Sequence, residues 1–484
     1  MICVVIKGPD FEKAAEQIEK ALPYADLVEL RLDSFTTLNL NKLKNLRSQF
    51  SIPMIFTLRS LSQGGDYIGS EENRIADIRR LATLEPEYID LEHDTSSTFI
   101  NELSYKFPNI KLILSYHNFK DTPKNLDEIY REMRKTPASF YKIAVYAKHI
   151  SDALRLLIWA QQFDEQLIPI SMGPHGQISR ILGKITYASL DDSQMTAPGQ
   201  LSAQTLIERY HYRSPKKALY GLIGDPIDQS ISDVTHNNLI GSCSLNAVYI
   251  KMEVKPSELS EFLNMAKELP FRGLSITMPL KELILPFLDN IDPQARNIGA
   301  VNTLLIENGK ISGWNTDGTG ALNAIERQSP VKGKHVVIIG AGGSAKAIAY
   351  EAIQRGARVT IVNRDAEKAE AIAKQFGCIG QGLEYIKTCF EIGYDILINS
   401  TPVVMPIPSQ YILSGCIVMD VKTKPKKTEF LKNSEKKGCR IIYGYEMFIE
   451  QAIGQFNLWF DNKIDSEKSR EILTLGANQC LSVI

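Results

Sequence analysis

Short β-rich runs recur through the first 210 residues, at 2–7, 27–33, 54–59, 88–92, 111–117, 141–147, 167–173 and 185–190. Helix-like stretches such as 11–22, 71–84 and 151–162 separate most of them. Eight strands alternating with helices over roughly 200 residues predict an α/β fold of one kind, a (β/α)8 TIM barrel. Such a barrel carries its chemistry at the C-terminal ends of its strands. Those ends hold Glu29 and Arg31, Arg59, Glu92 and His117, and Arg180 follows soon after the seventh run.

One residue breaks the apolar pattern. Lys142 stands in Phe140-Tyr141-Lys142-Ile143-Ala144-Val145-Tyr146, which otherwise reads as a buried strand. Burying an ammonium is costly unless it pairs or loses its proton. A lysine in such a place is a candidate amine nucleophile. The preceding run ends in His117, so adjacent strands offer an amine and an imidazole, the parts of Schiff-base chemistry with a proton shuttle. The plainer alternative is a snorkelling lysine whose head reaches water. Lys142 lies near the start of its run, so it must sit mid-strand or reach up the barrel axis.

The chain as a whole narrows the function classes. Its 484 residues suggest two or three domains. Hydrophobic content of 44% and charged content of 23% are those of a soluble globular protein. A net charge of −1 leaves no footprint for nucleic acid or an anionic membrane. The seven cysteines are scattered and never form a C-x-x-C pair, which argues for a reducing compartment and against a disulfide framework or a zinc site. The opening run is too short for a signal peptide, and no apolar stretch approaches a membrane helix. The expectation is a cytoplasmic enzyme with small-molecule substrates and no metal; oligomeric state is not encoded in any motif.

A polar, proline-containing linker at 213–217 separates this region from a new strand at 218–224. Beyond it come Gly224-Asp225-Pro226-Ile227 and the paired Ser230 and Ser232. Hydroxyls two apart can point at one carboxylate, although a turn leading to an N-cap serine is the commoner meaning. A stronger signal follows. A strand at 334–339 runs into Gly340-Ala341-Gly342-Gly343-Ser344-Ala345, a helix-like 346–354 and a second strand at 358–362. This is the setting of a Rossmann dinucleotide site, with Ala345 in place of the third glycine. An NAD site would put an acid at the end of the second strand. Asn363-Arg364 stands there, and an arginine can clamp a 2′-phosphate, so NADP is the expected cofactor. Asp365 reads as the N-cap of a helix at 366–375.

The first 210 residues resemble a type I 3-dehydroquinate dehydratase. The resemblance rests on Glu29-Leu30-Arg31-Leu32-Asp33, Phe56-Thr57-Leu58-Arg59, Ser115-Tyr116-His117-Asn118-Phe119, Lys142-Ile143-Ala144-Val145, Ser171-Met172-Gly173, Ser179-Arg180 and Ala197-Pro198-Gly199-Gln200. It implies that Lys142 forms an imine with the C3 ketone of dehydroquinate and that His117 removes the C2 proton. It implies further that Arg180 pairs with the substrate carboxylate, and that Glu29, Arg31, Arg59, Thr196 and Gln200 line the pocket. One departure stands out: the family's Glu-Gly-Gly becomes Gln63-Gly64-Gly65 here. Gln63 can hold an imidazole by a hydrogen bond but offers no charge to imidazolium, which puts the rate and pH optimum in question more than the reaction.

Residues 218–484 resemble a shikimate dehydrogenase. The motifs are Gly224-Asp225-Pro226 with Ser230 and Ser232, Ser275-Ile276-Thr277-Met278-Pro279-Leu280-Lys281, Gly299-Ala300-Val301-Asn302-Thr303, Asn315-Thr316-Asp317-Gly318, the glycine-rich turn, Asn399-Ser400-Thr401-Pro402, and Gly444 with Gln451-Ala452. The resemblance implies Lys281 and Asp317 as the catalytic pair. Ser230 and Ser232 would hold a carboxylate, and Thr277, Asn302 and Gln451 the ring hydroxyls. Gly340, Ala341, Gly342, Gly343, Ser344, Ala345, Asn363, Arg364, Thr401 and Gly444 would bind the cofactor. Two positions depart from the family: Thr423 replaces a pocket tyrosine, and Ser275 stands where family members usually carry asparagine.

The expected organisation is a dehydratase barrel at 1–212, a substrate-binding domain at 218–325 completed by C-terminal helices at 446–484, and a Rossmann domain at 330–445. The product of the first reaction is the substrate of the second, so a bifunctional enzyme of aromatic amino-acid biosynthesis is expected. Two alternatives stand beside it: a quinate or mixed quinate/shikimate dehydrogenase in the second half, and a sensor on a degenerate enzyme scaffold.

Overall fold

The computed structural model describes residues 1–163, 166–193, 195–215 and 218–482. The last two residues of the expected linker, 216 and 217, lie outside the described residues. The chain divides into two compact units near that point.

The first unit contains eight strands: β1 (Ile2–Ile6), β2 (Leu27–Arg31), β3 (Met54–Thr57), β4 (Tyr88–Glu92), β5 (Lys111–Asn118), β6 (Phe140–Tyr146), β7 (Leu167–Met172) and β8 (Thr186–Ala188). They pair in the order β7-β6-β5-β4-β3-β2-β1-β8, and all pairings are parallel, giving a near-closed barrel. Strands buried on both faces read as continuous apolar runs, which is why the sequence signals them so plainly. Helices cross over between them, and several start at residues able to cap a free N–H. Asp10 caps Phe11–Ala21, Asn39 caps Leu40–Gln49 and Ser70 caps Glu71–Ala82.

Strand ends differ from expectation where a tight turn takes over. Residues 32–34 form a 3-10 turn, and β3 stops at Thr57, so Arg59 lies just past its strand. Inside the barrel, Cys3, Leu27, Ile55, Ile113 and Ile168 pack together. Lys142 is the third residue of β6, level with Ser115, whereas His117 is level with Ala144 one pleat further on. The lysine therefore sits mid-strand.

The second unit holds two six-stranded sheets. The first comprises β9 (Ala218–Gly224), β10 (Ala247–Glu253), β11 (Phe271–Ile276), β12 (Asn290–Ile291), β13 (Thr303–Glu307) and β14 (Lys310–Trp314), in the order β10-β9-β11-β13-β14-β12. Its β13 is antiparallel to both neighbours. The second comprises β15 (His335–Ile339), β16 (Arg358–Asn363), β17 (Ile379–Gly382), β18 (Ile396–Asn399), β19 (Ile417–Asp420) and β20 (Arg440–Ile442). Its parallel order, β17-β16-β15-β18-β19-β20, reverses direction between β15 and β18. That is the switch point of a Rossmann sheet, where ligands bind beyond the strand ends.

Chain order does not match packing at the C-terminus. The helix Gly444–Trp459 returns to the first sheet, where Trp459 donates its indole N–H to Leu304 O at 2.9 Å. Gln455 donates to Asn302 O at 3.1 Å and Thr303 Oγ1 at 3.1 Å. Gly273 permits the approach, since a Cβ there would lie 2.3 Å from the indole nitrogen. Trp459→Ala is expected to destabilise the second unit by about 3–5 kcal/mol through the cavity and the orphaned carbonyl. A lower urea midpoint in far-UV circular dichroism checks this.

Candidate active sites

In the barrel, Lys142 is 4% exposed and its Nζ lies 2.5 Å from Asp90 Oδ2. It also stands 4.4 Å from the centroid of the Tyr187 ring. The lysine does not snorkel; it is buried as an ion pair. Asp90 also accepts from Arg59 Nη2 at 2.6 Å and from Ser115 Oγ at 2.7 Å. Burial works to raise the Asp90 carboxyl, but Arg59 and Lys142 outweigh it and hold it well below the usual carboxylate range.

His117 is poised differently. Burial, helped by the charges on Arg59 and Lys142, pushes its imidazole well below the usual histidine range. Its ring stacks on Phe119 at 6.0 Å, and Nδ1 is buried without a partner among the described residues. Gln63 Oε1 is likewise buried and unpartnered, and both residues line the same cavity of about 70 Å³.

Arg180 donates to Tyr187 O at 3.0 Å, but its Nε is unpartnered. It has no carboxylate partner among the described residues, and burial alone pulls it down to about 10. A buried cation without a counter-ion is costly, so this pocket is built to receive an anion. Gln200 donates to Tyr187 O at 3.1 Å and accepts from Thr196. Glu29 accepts from Thr57 at 2.7 Å, and Arg31 is already paired with Asp33 at 2.7 Å.

The cavity thus gathers Glu29, Arg31, Arg59, His117, Lys142, Arg180, Thr196 and Gln200, the eight residues the sequence nominated. Glu92 is not among its lining. It accepts from the backbone N–H and hydroxyl of Ser60 and anchors the loop after β3. Sequence reasoning missed Asp90, Ser115 and Tyr187. The available signal for Asp90 was a lone carboxylate between Ile89 and Leu91 in a buried strand.

The second unit contains a cleft of about 580 Å³. Lys281, on the short helix Leu280–Leu283, donates to Asp317 at the start of the helix Asp317–Glu326. Lys281 also donates to Ser344 Oγ at 3.0 Å, and Ser344 donates to Asp317 Oδ2 at 3.0 Å. Asn302 Nδ2 donates to Asp317 Oδ1 at 2.8 Å and lies 3.3 Å from Gln451 Oε1.

Ser230 and Ser232 Oγ atoms lie 2.9 Å apart. The N-cap position of the helix Ser232–Ser242 is Ile231, and Ser230 Oγ accepts from the Ser232 backbone N–H at 3.3 Å. Thr277 and Thr423 also line the cleft. Ser275 lines it too, and links Tyr249 OH at 2.8 Å to Gln455 at 2.9 Å.

The glycine-rich turn meets the same cleft through Gly342, Gly343 and Ser344, joined by Thr401 and Gly444. Gly340 takes φ +118°, which a side chain would resist. Ala341 and Ala345 share the turn without lining the cleft. The helix Gly343–Gln354 starts from Gly342, which supplies no side-chain acceptor. Its first N–H groups are therefore available to an anion, and the turn fits a pyrophosphate. Asn363 ends β16 and Arg364 is exposed beside it; neither lines the cleft. Asp365 caps Ala366–Phe376 as expected, accepting from Lys368 N.

Among the described residues, no helix is long and apolar enough to cross a membrane.

The Type I 3-dehydroquinase family matches residues 2–217. The shikimate dehydrogenase substrate binding domain matches residues 222–304, and the shikimate/quinate 5-dehydrogenase family residues 323–426. The shikimate biosynthesis protein AroDE of Chlamydia pneumoniae is 39% identical over 479 residues, covering 96% of this chain and 97% of its own. A chloroplastic bifunctional 3-dehydroquinate dehydratase/shikimate dehydrogenase of Arabidopsis thaliana is 35% identical over 495 residues, covering 95% of this chain and 82% of its own. The chain belongs to the bifunctional 3-dehydroquinate dehydratase/shikimate dehydrogenase family. It is an enzyme with a lyase and an oxidoreductase activity, and the quinate alternative is not favoured. A crystal structure of a shikimate dehydrogenase in complex with NADP+ is 35% identical with a TM-score of 0.50, over 54% of this chain and 95% of that one.

Asp90 makes a prediction about stability. Asp90→Asn leaves two buried cations without their shared carboxylate, at an expected cost of about 3–5 kcal/mol. The native carboxyl is depressed from an unfolded value of about 3.9. Its stabilisation is therefore present above that pH and lost as pH falls towards the native value. Urea midpoints of dehydratase inactivation should separate variant from wild type at pH 7, and the gap should close in acid.

Proposed function

We propose that the barrel dehydrates 3-dehydroquinate through an imine on Lys142 and that the second unit reduces the resulting dehydroshikimate with NADPH. The observation that carries this reading is the barrel cavity, where a buried amine, an unprotonated imidazole and an unmatched guanidinium converge. The working parts are 1–212 for dehydration, 218–325 with 446–484 for holding the second substrate, and 330–445 for the nucleotide. The scattered cysteines, never in a C-x-x-C pair, support a reducing compartment, the cytoplasm.

In the barrel, Arg180 binds the substrate carboxylate as a charge-assisted pair. Lys142 gives up its proton and attacks the C3 ketone; loss of water leaves a protonated imine. That imine draws electrons from C2, and neutral His117 removes the C2 proton. The imidazolium returns the proton to the C1 hydroxyl, which leaves as water, and hydrolysis of the imine frees Lys142. Glu29, Arg31, Arg59, Thr196 and Gln200 orient the ring.

In the second unit, Ser230 and Ser232 hold the carboxylate, and Thr277, Asn302 and Gln451 hold the ring hydroxyls. Lys281 delivers a proton to the developing alkoxide, with Asp317 orienting its ammonium. NADPH, when bound, supplies the hydride. Backbone N–H groups of 340–345 would hold its pyrophosphate, Thr401 and Gly444 would border it, and Asn363 and Arg364 would receive the 2′-phosphate.

Lys142→Ala is expected to abolish dehydration and leave NADPH-dependent reduction near wild type. Borohydride with dehydroquinate should trap an adduct on Lys142; an adduct on another lysine would sink the assignment.

A base must be neutral to act, so the depressed His117 keeps the acid limb of dehydratase kcat/KM below the usual histidine value of about 6.5. Gln63→Glu adds a carboxylate that favours imidazolium and should move that limb to higher pH. An unchanged profile would show that Gln63 does not neighbour His117.

Lys281→Met should lower reductase kcat by at least ~100-fold with little change in the KM for NADPH. Arg364→Ala should instead weaken NADPH and narrow its preference over NADH, with kcat kept. Steady-state kinetics with both cofactors decide between these roles.

A further inference from the structure

We infer that Ser344 is a positioning residue that ties the glycine-rich turn to the Lys281–Asp317 proton donor, a role for its side chain distinct from cofactor binding. The inference rests on the reductase reading above.

Ser344 is the second residue of the helix Gly343–Gln354. Its hydroxyl accepts from Lys281 Nζ at 3.0 Å and donates to Asp317 Oδ2 at 3.0 Å. Lys281 also donates to Asp317 directly, so the three groups close a triangle. A hydroxyl has one proton and two lone pairs. With its proton on the carboxylate and a lone pair towards the ammonium, it stabilises both charges at once.

The turn is held against the lysine by two further contacts. A Cβ on Gly343 would lie 3.2 Å from Lys281 Cβ, so the backbone abuts the lysine stem. One turn along, Lys346 pairs with Glu282, the residue after Lys281, at 2.7 Å. The hydroxyl of Ser344 is thus committed to the catalytic pair, while its backbone remains at the helix end where an anion would sit. An occupant of the turn would fix Ser344 and, through it, the direction in which Lys281 presents its proton.

The test is Ser344→Ala in the full-length enzyme, assayed by steady-state reduction of dehydroshikimate with NADPH. The variant keeps the backbone N–H and loses only the hydroxyl. We expect kcat lower by roughly 10-fold, the rate equivalent of one charge-assisted hydrogen bond, with the KM for NADPH within about twofold of wild type. The ammonium loses an acceptor and the carboxylate loses a donor. Ser344→Thr, which restores a hydroxyl at the same position, should therefore recover most of the lost kcat.

A raised KM for NADPH with kcat unchanged would overturn the inference and make the side chain a phosphate ligand. A variant indistinguishable from a working wild type overturns it as well. If the wild type fails to reduce dehydroshikimate, the parent reading fails and takes the inference with it.

Discussion

An ammonium inside a parallel barrel needs a counter-charge within reach, and Asp90 on β4 supplies it to Lys142 on β6. The strand β5 lies between them, and its Ser115 donates to the same carboxylate. Arg59 completes the cluster from beyond the end of β3. These contacts tie four successive strands together through side chains, and they set the electrostatics of everything above. Burial, with the charges of Arg59 and Lys142 added to it, keeps the imidazole of His117 neutral. Arg180, by contrast, donates to the Tyr187 carbonyl but has no carboxylate partner among the described residues. A site with a neutral base, a paired amine and an unmatched guanidinium is suited to a substrate that brings its own carboxylate.

The second unit meets a different demand. Lys281 and the glycine-rich turn come from different parts of the chain, Lys281 from the first sheet's region and Ser344 from the second's. The hydrogen-bonded triangle of Lys281, Asp317 and Ser344 joins them. The helix Gly444–Trp459 packs beside Asn302, which donates to Asp317. Gln451 touches Asn302, Gln455 ties down the backbone of Asn302, and Trp459 closes on β13. A helix that follows the second sheet in sequence therefore packs on the first sheet in space.

Much of this is legible from local patterns. Fully buried parallel strands announce themselves as apolar runs, and Lys142 was visible because it interrupts one. The glycine-rich turn is legible because strand, turn and helix are consecutive. The helix cap at Asp365 follows from the same local logic. Pairings are harder. Arg31 is nominated for the pocket but is bidentate to Asp33 two residues away. Glu92 has the right chemistry at a strand end, yet it serves the loop at Ser60. Ser230 and Ser232 look like a helix cap in one dimension and form a hydroxyl pair in three.

The amino-acid order by itself determined the alternation of strands and helices, the Rossmann turn and the residue types available for chemistry, because each depends on neighbours within a turn or a strand. Tertiary structure decided which of those residues act on one another. Asp90 and Lys142 are 52 positions apart, and Ser344 lies 27 positions from Asp317 and 63 from Lys281. Whether a buried charge is paired or left open depends on distances of a few ångströms across strands, since Coulomb energy in a low-dielectric interior falls off with separation. Local sequence carries no measure of that distance; only the packed fold does.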